Sequence, residues 1–247
     1  YDGYFRMATS LSGDGARLTV LDTAEMKETA YVDGLGQENA ERIYSVRFDG
    51  EICYLVTARQ TDPLYLVDLS DPAAPTVTAE LKIPDVSDYM HLYDENTVIG
   101  VGRQANDGAF YGLQVTLFDV SDRADPVKLD QFLYNRDTYS EITNNHRAFL
   151  YYTFPTGQTV FGFPIEQNGL CGFTLLTTDG RSLGSLGALI ATEPESNDPF
   201  AYLPSTAVSR AVIVGNRVFA LADACFITAD IQTGENLTLS SPVTKFF

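Results

Sequence analysis

At 247 residues with 45% hydrophobic content, the chain can bury a full core and suits one repeat-built domain. A formal net charge of −17 and an isoelectric point near 4.3 create a field that repels nucleic acid and anionic lipid, which argues against both as partners. No apolar run approaches the ~18 residues that a membrane-spanning helix needs.

In chain order, Gly3-Tyr4-Phe5-Arg6-Met7-Ala8-Thr9 comes first and aligns with a later stretch, Tyr54-Leu55-Val56-Thr57-Ala58. Leu18-Thr19-Val20-Leu21-Asp22 follows, the first of several apolar runs that end in aspartate. Tyr44–Phe48, Ile52–Ala58, Leu64–Leu69 and Thr76–Ile83 read as four strands. Asp49-Gly50 between the first two predicts a type I′ hairpin, which needs positive φ at both central residues. Leu64-Tyr-Leu-Val-Asp-Leu-Ser-Asp71 is answered by Val115-Thr-Leu-Phe-Asp-Val-Ser-Asp122, with weaker echoes at Leu175–Gly180 and Phe226–Gly234. Asp22, Asp68, Asp119 and Asp230 are separated by 46, 51 and 111 residues, and Asp179 divides the last gap. Four strands with short turns occupy about 40–50 residues, the size of a propeller blade. Ser70-Asp71-Pro72 and Ser121-Asp122 carry the side chains of tight turns. No long stretch shows a 3.6-residue apolar period.

The chain is therefore expected to be all-β, a β-propeller of four-stranded antiparallel blades at about 1–38, 39–85, 86–136, 137–190 and 191–247. The first blade is short and lacks its innermost strand. This predicts about five blades belonging to a longer propeller, in preference to a five-bladed ring whose end strand comes from residues 240–247.

Glu41–Phe48, Arg59–Pro63, Leu81–Pro84, Tyr93–Asn96, Ile99–Gly102 and Phe118–Asp122, together with Gly3–Thr9, resemble a family of secreted bacterial and archaeal proteins. That family carries a C-terminal β-propeller distantly related to WD repeats. The resemblance is specific over residues 1–150 and looser over 151–247. It implies export, often with lipid or cell-wall attachment upstream, and a propeller longer than this chain. It implies no activity and no ligand.

In a propeller, the connections between blades share a face with the loops between second and third strands. The ligand-binding candidates on that face are Arg42, Arg59, Asp62, Asp88, His91, Arg103, Asp137 and Glu141, with Glu41 and Ser140 beside them. Alternating guanidinium and carboxylate groups suit a polar or anionic ligand. The weightier reading pairs these groups with one another to hold blades together. His91, His146, Asp137 and Glu141 have the composition of a metal site without its compact spacing, and a histidine satisfied in a channel wall is the stronger reading. A nucleophile elbow, a phosphate loop and an EF-hand are all missing from the sequence, so no cofactor is expected.

Cys53 reads as a small buried strand residue. Cys171 and Cys225 occupy equivalent places in consecutive blades, where a disulfide competes with two buried thiols. The segment 191–204 breaks the repeat and reads as a loop on the candidate face, with Phe200 and Tyr202 as contact residues. The expected function is a non-catalytic extracellular or cell-surface module that binds a protein, glycan or envelope component. The alternative is a metal-assisted or acid–base hydrolase using His91, Glu141 and Asp137 over the channel.

Overall fold

The computed structural model describes residues 2–12, 15–37, 41–58, 62–83, 86–106, 109–190, 207–223 and 225–246. These residues form five antiparallel sheets, as the all-β expectation requires. The chain divides into two compact units, Tyr1–Leu129 and Asp130–Phe247.

The first unit starts with a three-stranded sheet of β1 (Tyr4–Leu11), β2 (Gly15–Asp22) and β3 (Lys27–Leu35). A second sheet follows, with β4 (Arg42–Asp49), β5 (Ile52–Ala58), β6 (Asp62–Asp68) and β7 (Thr76–Ile83) in sequence order. The third contains β8 (Val86–Asp94), β9 (Thr97–Asn106), β10 (Ala109–Asp119) and β11 (Val127–Leu133).

Side-chain alternation explains how these sheets stack. From β5, Cys53 and Leu55 join Ala16, Leu18 and Val20 of the first sheet in one core. Ile52, Tyr54 and Val56 point the other way and pack with Met90, Val98 and Phe118 of the third. Because both faces are covered, β5 is an unbroken apolar run rather than an alternating one. Each such side chain contributes about 1.5–3 kcal/mol on burial.

The repeated aspartates close the strand ends. Asp68 Oδ1 accepts the Ser70 N–H at 2.8 Å, and Asp119 Oδ1 accepts the Ser121 N–H at 2.8 Å. Asp22 does the same for Ala24 at 2.8 Å and Glu25 at 2.9 Å. The next residue then ties the strand to a neighbouring turn: Leu69 N–H donates to Glu51 O at 2.7 Å, Val120 N–H to Asn96 O at 2.8 Å, and Thr23 N–H to Gly3 O at 2.9 Å. By this register β2 corresponds to β6, and β1 to the second strand β5.

One turn differs from expectation. Residues Asp49 and Ile52 pair, so the hairpin loop is Gly50-Glu51, and of these only Gly50 has positive φ (52°). That is the type II′ pattern, which places glycine first. Positive φ at both loop residues occurs instead at Asn168 (51°) and Gly169 (76°).

In the second unit, the fourth sheet has a divided first strand. β12 (Thr138–Tyr139) and β13 (Leu150–Thr153) both pair with β14 (Thr159–Gln167), which continues to β15 (Leu170–Thr178) and β16 (Leu183–Ile190). The fifth sheet runs β17 (Val208–Val214), β18 (Arg217–Ala222) and β19 (Cys225–Gln232). β20 (Thr238–Leu239) and β21 (Val243–Phe246) both pair with β19, at Ile231–Gln232 and Cys225–Thr228 respectively. The alternative in which residues 240–247 complete the first sheet is thereby corrected, because β20 leaves one end of β19 open and β21 fills it. Phe173, Leu175 and Leu189 of the fourth sheet share a core with Val218, Ala220 and Ile227 of the fifth.

Candidate functional site

The polar residues of the first unit are built into its sheets. Asp88 is the extra residue of a β-bulge, where pairing passes from Ser87↔Gly102 to Tyr89↔Val101. Buried to 3% exposure, it accepts from Arg103 Nε at 3.0 Å and Nη2 at 2.8 Å. Tyr44 occupies the matching bulge of β4, between the pairs Ile43↔Thr57 and Ser45↔Val56. Its ring lies 5.3 Å from the Arg103 guanidinium, so that one arginine joins β4 to β9.

His91 Nδ1 lies 3.2 Å from Tyr89 Oη. Burial, aided by the Arg47 charge, lowers the imidazole to about 4, which leaves it neutral at pH 7. Glu41 is also buried and accepts from Thr57 Oγ1 at 2.5 Å. A Cβ on Gly36 (φ 72°) would come within 2.5 Å of Glu41 Oε2, and the Gly36 N–H donates to Tyr65 Oη at 3.0 Å. Arg42 is exposed at the start of β4. Arg59 lies outside the described residues, and Asp62 opens β6 with its side chain outside them. Of the eight ligand-binding candidates, Asp88 and Arg103 are brought into direct contact.

The second unit has a cavity of about 180 Å³. It is lined by Tyr139, Ser140, Glu141, Pro164, Ile165, Glu166, Cys171, Ala207 and Val208. It exists because the first strand of the fourth sheet is broken. β12 pairs with Glu166 and Gln167, β13 pairs with Thr159–Gly162, and residues 140–149 leave the sheet between them. Short 3-10 turns form there, Glu141–Thr143 and His146–Ala148, each capped by a side chain. Ser140 Oγ accepts the Ile142 N–H at 3.2 Å, and Asn145 Oδ1 accepts the Arg147 N–H at 3.2 Å.

Pro164 stands opposite the break. Its carbonyl accepts from Ser140 Oγ at 2.5 Å, which shows that its backbone faces the gap in the first strand. Antiparallel geometry puts a residue's N–H and C=O on the same side, so the missing N–H of Pro164 falls where no strand pairs.

Glu141 accepts from Asn145 Nδ2. Tyr139 is 63% exposed, whereas Val208 is buried in the floor. Burial and the Glu166 charge push the Cys171 thiol up. Asp137 is exposed in the turn before β12, and His146 is exposed in the second 3-10 turn. Among the described residues, no three His, Cys, Asp or Glu side chains stand close enough to hold a metal ion. All three cysteines are free thiols: Cys53 and Cys225 are buried and Cys171 is half-buried, so the conceivable disulfide is not formed.

Sequence reasoning singled out Ser140 and Glu141 but missed Glu166, Val208 and the role of Cys171. The available signal was Pro164 in mid-strand. The segment 191–204, with Phe200 and Tyr202, lies outside the described residues. Among the described residues no helix is long and apolar enough to cross a membrane.

Comparison with known proteins agrees with the sheet architecture. A family model described as "Beta propeller domain" matches residues 1–234. An uncharacterized protein of Archaeoglobus fulgidus is 41% identical over 169 residues, 68% of this chain and 25% of the relative. An uncharacterized protein of Methanocaldococcus jannaschii is 34% identical over 180 residues, 68% of this chain and 28% of the relative. The matched stretch thus spans about a quarter of each relative. Among solved structures, a hypothetical selenium-binding protein from Sulfolobus tokodaii aligns with a TM-score of 0.41 at 11% identity, covering 70% of this chain and 45% of that one. Acylaminoacyl peptidase aligns at 0.38 and 10% identity, covering 99% and 51%. Likeness this remote carries no argument about function.

Proposed function

Because the chain belongs to the β-propeller domain family, we propose that it forms about five blades of a longer propeller and serves as a non-catalytic binding module. Its place is outside the cell or on the cell surface, and its partner is a protein, glycan or envelope component. The observation that carries the binding role is the cavity at the broken first strand of the fourth sheet, where Glu141 and Glu166 border an apolar floor. Acid–base hydrolysis needs two titratable groups converging on one reacting atom. His91 is instead engaged by Tyr89 and Glu141 by Asn145, while Asp137 is exposed in a turn.

Exposed apolar side chains on two sheet faces, among the described residues, support the longer propeller. Phe5, Met7 and Tyr31 share the face of the first sheet opposite its core, with Phe5 55% exposed. Val212, Val214 and Leu221 share the corresponding face of the fifth, with Val214 66% exposed. Apolar sheet faces of this kind are normally covered by a further sheet. The relatives are long enough to supply one. Export rests on the sequence resemblance, and the acidic surface suits a protein that must stay soluble there.

Two assays test this reading: protease added to intact cells of the source organism, and cosedimentation of the purified chain with an envelope preparation. The module reading predicts cleavage on intact cells and sedimentation with the envelope. A chain that is protected in intact cells and stays in the supernatant would overturn it.

A further inference from the structure

We propose that the cavity of the fourth sheet receives a lysine side chain of a protein partner, its ammonium held between Glu141 and Glu166. This deepens the binding-module reading and rests on it. The walls match such a guest in three ways. The space, about 180 Å³, suits a single long side chain. Pro164, Ala207 and Val208 provide apolar surface along which a tetramethylene stem can lie. The aromatic ring of Tyr139 borders the same space and offers a face to a cation.

The electrostatics select the charge of the guest. Among the described residues, two carboxylates line the cavity and no lysine, arginine or histidine does. Glu141 is bonded to the neutral amide of Asn145 and not to a cation. Glu166 and Cys171 are directly opposed across β14 and β15, and the Glu166 charge is felt by the thiol as an added resistance to ionisation. A metal ion is the weaker guest, because these three side chains do not converge closely enough to chelate one. An amino sugar carries the same ammonium on a rigid polar ring, for which the apolar floor offers little. The net charge of −17 would also draw a basic segment toward the surface.

The test is a titration of the purified chain followed by ligand-detected NMR. The probe is the peptide acetyl-Gly-Lys-Gly-amide, and its norleucine counterpart serves as the uncharged control. Glucosamine and calcium chloride form two further arms. The lysine peptide is expected to bind at least about fivefold more tightly than the norleucine peptide, and E141Q or E166Q should each remove most of that preference. Glu95→Gln, in an exposed turn of the first unit, should leave it unchanged. Equal binding of the two peptides, tighter binding of glucosamine, or calcium binding without peptide binding would each overturn the proposal. Circular dichroism of the variants separates lost binding from lost folding. If the lysine peptide fails while the chain still sediments with the envelope, the ligand class is wrong and the module reading stands. If both fail, both are wrong.

Discussion

The two units differ in what their polar residues leave available to a ligand. In Tyr1–Leu129 the repeat is regular, and its polar groups hold the structure together. The aspartates Asp22, Asp68 and Asp119 cap strand ends, Asp88 pairs with Arg103 inside the sheet, and Glu41 is locked against Thr57. In Asp130–Phe247 the fourth sheet departs from the repeat, and the departure opens a cavity with two carboxylates at its edge. The comparison teaches that the most repetitive polar residues in such a chain are the ones least available to a ligand.

Mutations can break or sharpen this contrast. The largest effects should be the same in both units, because both rest on sheet stacking. Phe118→Ala in the first unit and Phe173→Ala in the second each remove a fully buried ring, and each should cost about 3–5 kcal/mol in denaturant unfolding. A much smaller loss in one unit would mean that its sheets do not pack as described. Gly162→Ala comes next. Its Cβ would lie 2.2 Å from the Thr174 carbonyl oxygen, and the resulting strain should cost about 3 kcal/mol.

The units should then diverge. Asp88→Ala strands part-buried Arg103 and should cost about 2 kcal/mol, whereas Glu166→Gln at the cavity should stay within about 0.5 kcal/mol of the parent. Asp68→Ala and Asp119→Ala should each cost about 1 kcal/mol, since each leaves a turn N–H without its acceptor.

The last effect, that of pH on His91, is spread between about pH 6.5 and 4. Its folded value of about 4 lies below the ordinary 6.5, so acid protonates the unfolded chain first. The contribution is complete above about pH 6.5 and is lost as pH falls toward 4, by at most about 1.4 kcal/mol per unit and less after solvent screening. Unfolding of His91→Gln should show a shallower loss across that window. An unchanged pH profile would place the burden on other groups.

Much of the fold was legible because it follows from short-range patterns. Asp68-Leu69-Ser70-Asp71 and Asp119-Val120-Ser121-Asp122 repeat a hydrogen-bonding scheme as well as a spelling. Ile52–Ala58 was read as a strand, and the structure adds that both its faces are covered. The turn at Gly50-Glu51 was misread, because register, and not the Asp-Gly pair alone, decides which two residues form the loop. The site was harder to read. Asp88 and Arg103 were chosen as ligand groups, and their partnership depends on a bulge that no local pattern announces. Glu166 and Val208 reach the cavity from different sheets, which only tertiary packing brings together. Pro164 was the usable sign, since a proline in a central strand marks a place where pairing stops.

The division of labour between the units is tested most directly by comparing the denaturant midpoints of Asp88→Ala and Glu166→Gln with that of the parent chain. The predicted result is a clear drop for Asp88→Ala and no change for Glu166→Gln. Equal shifts, or a larger loss for Glu166→Gln, would contradict the account.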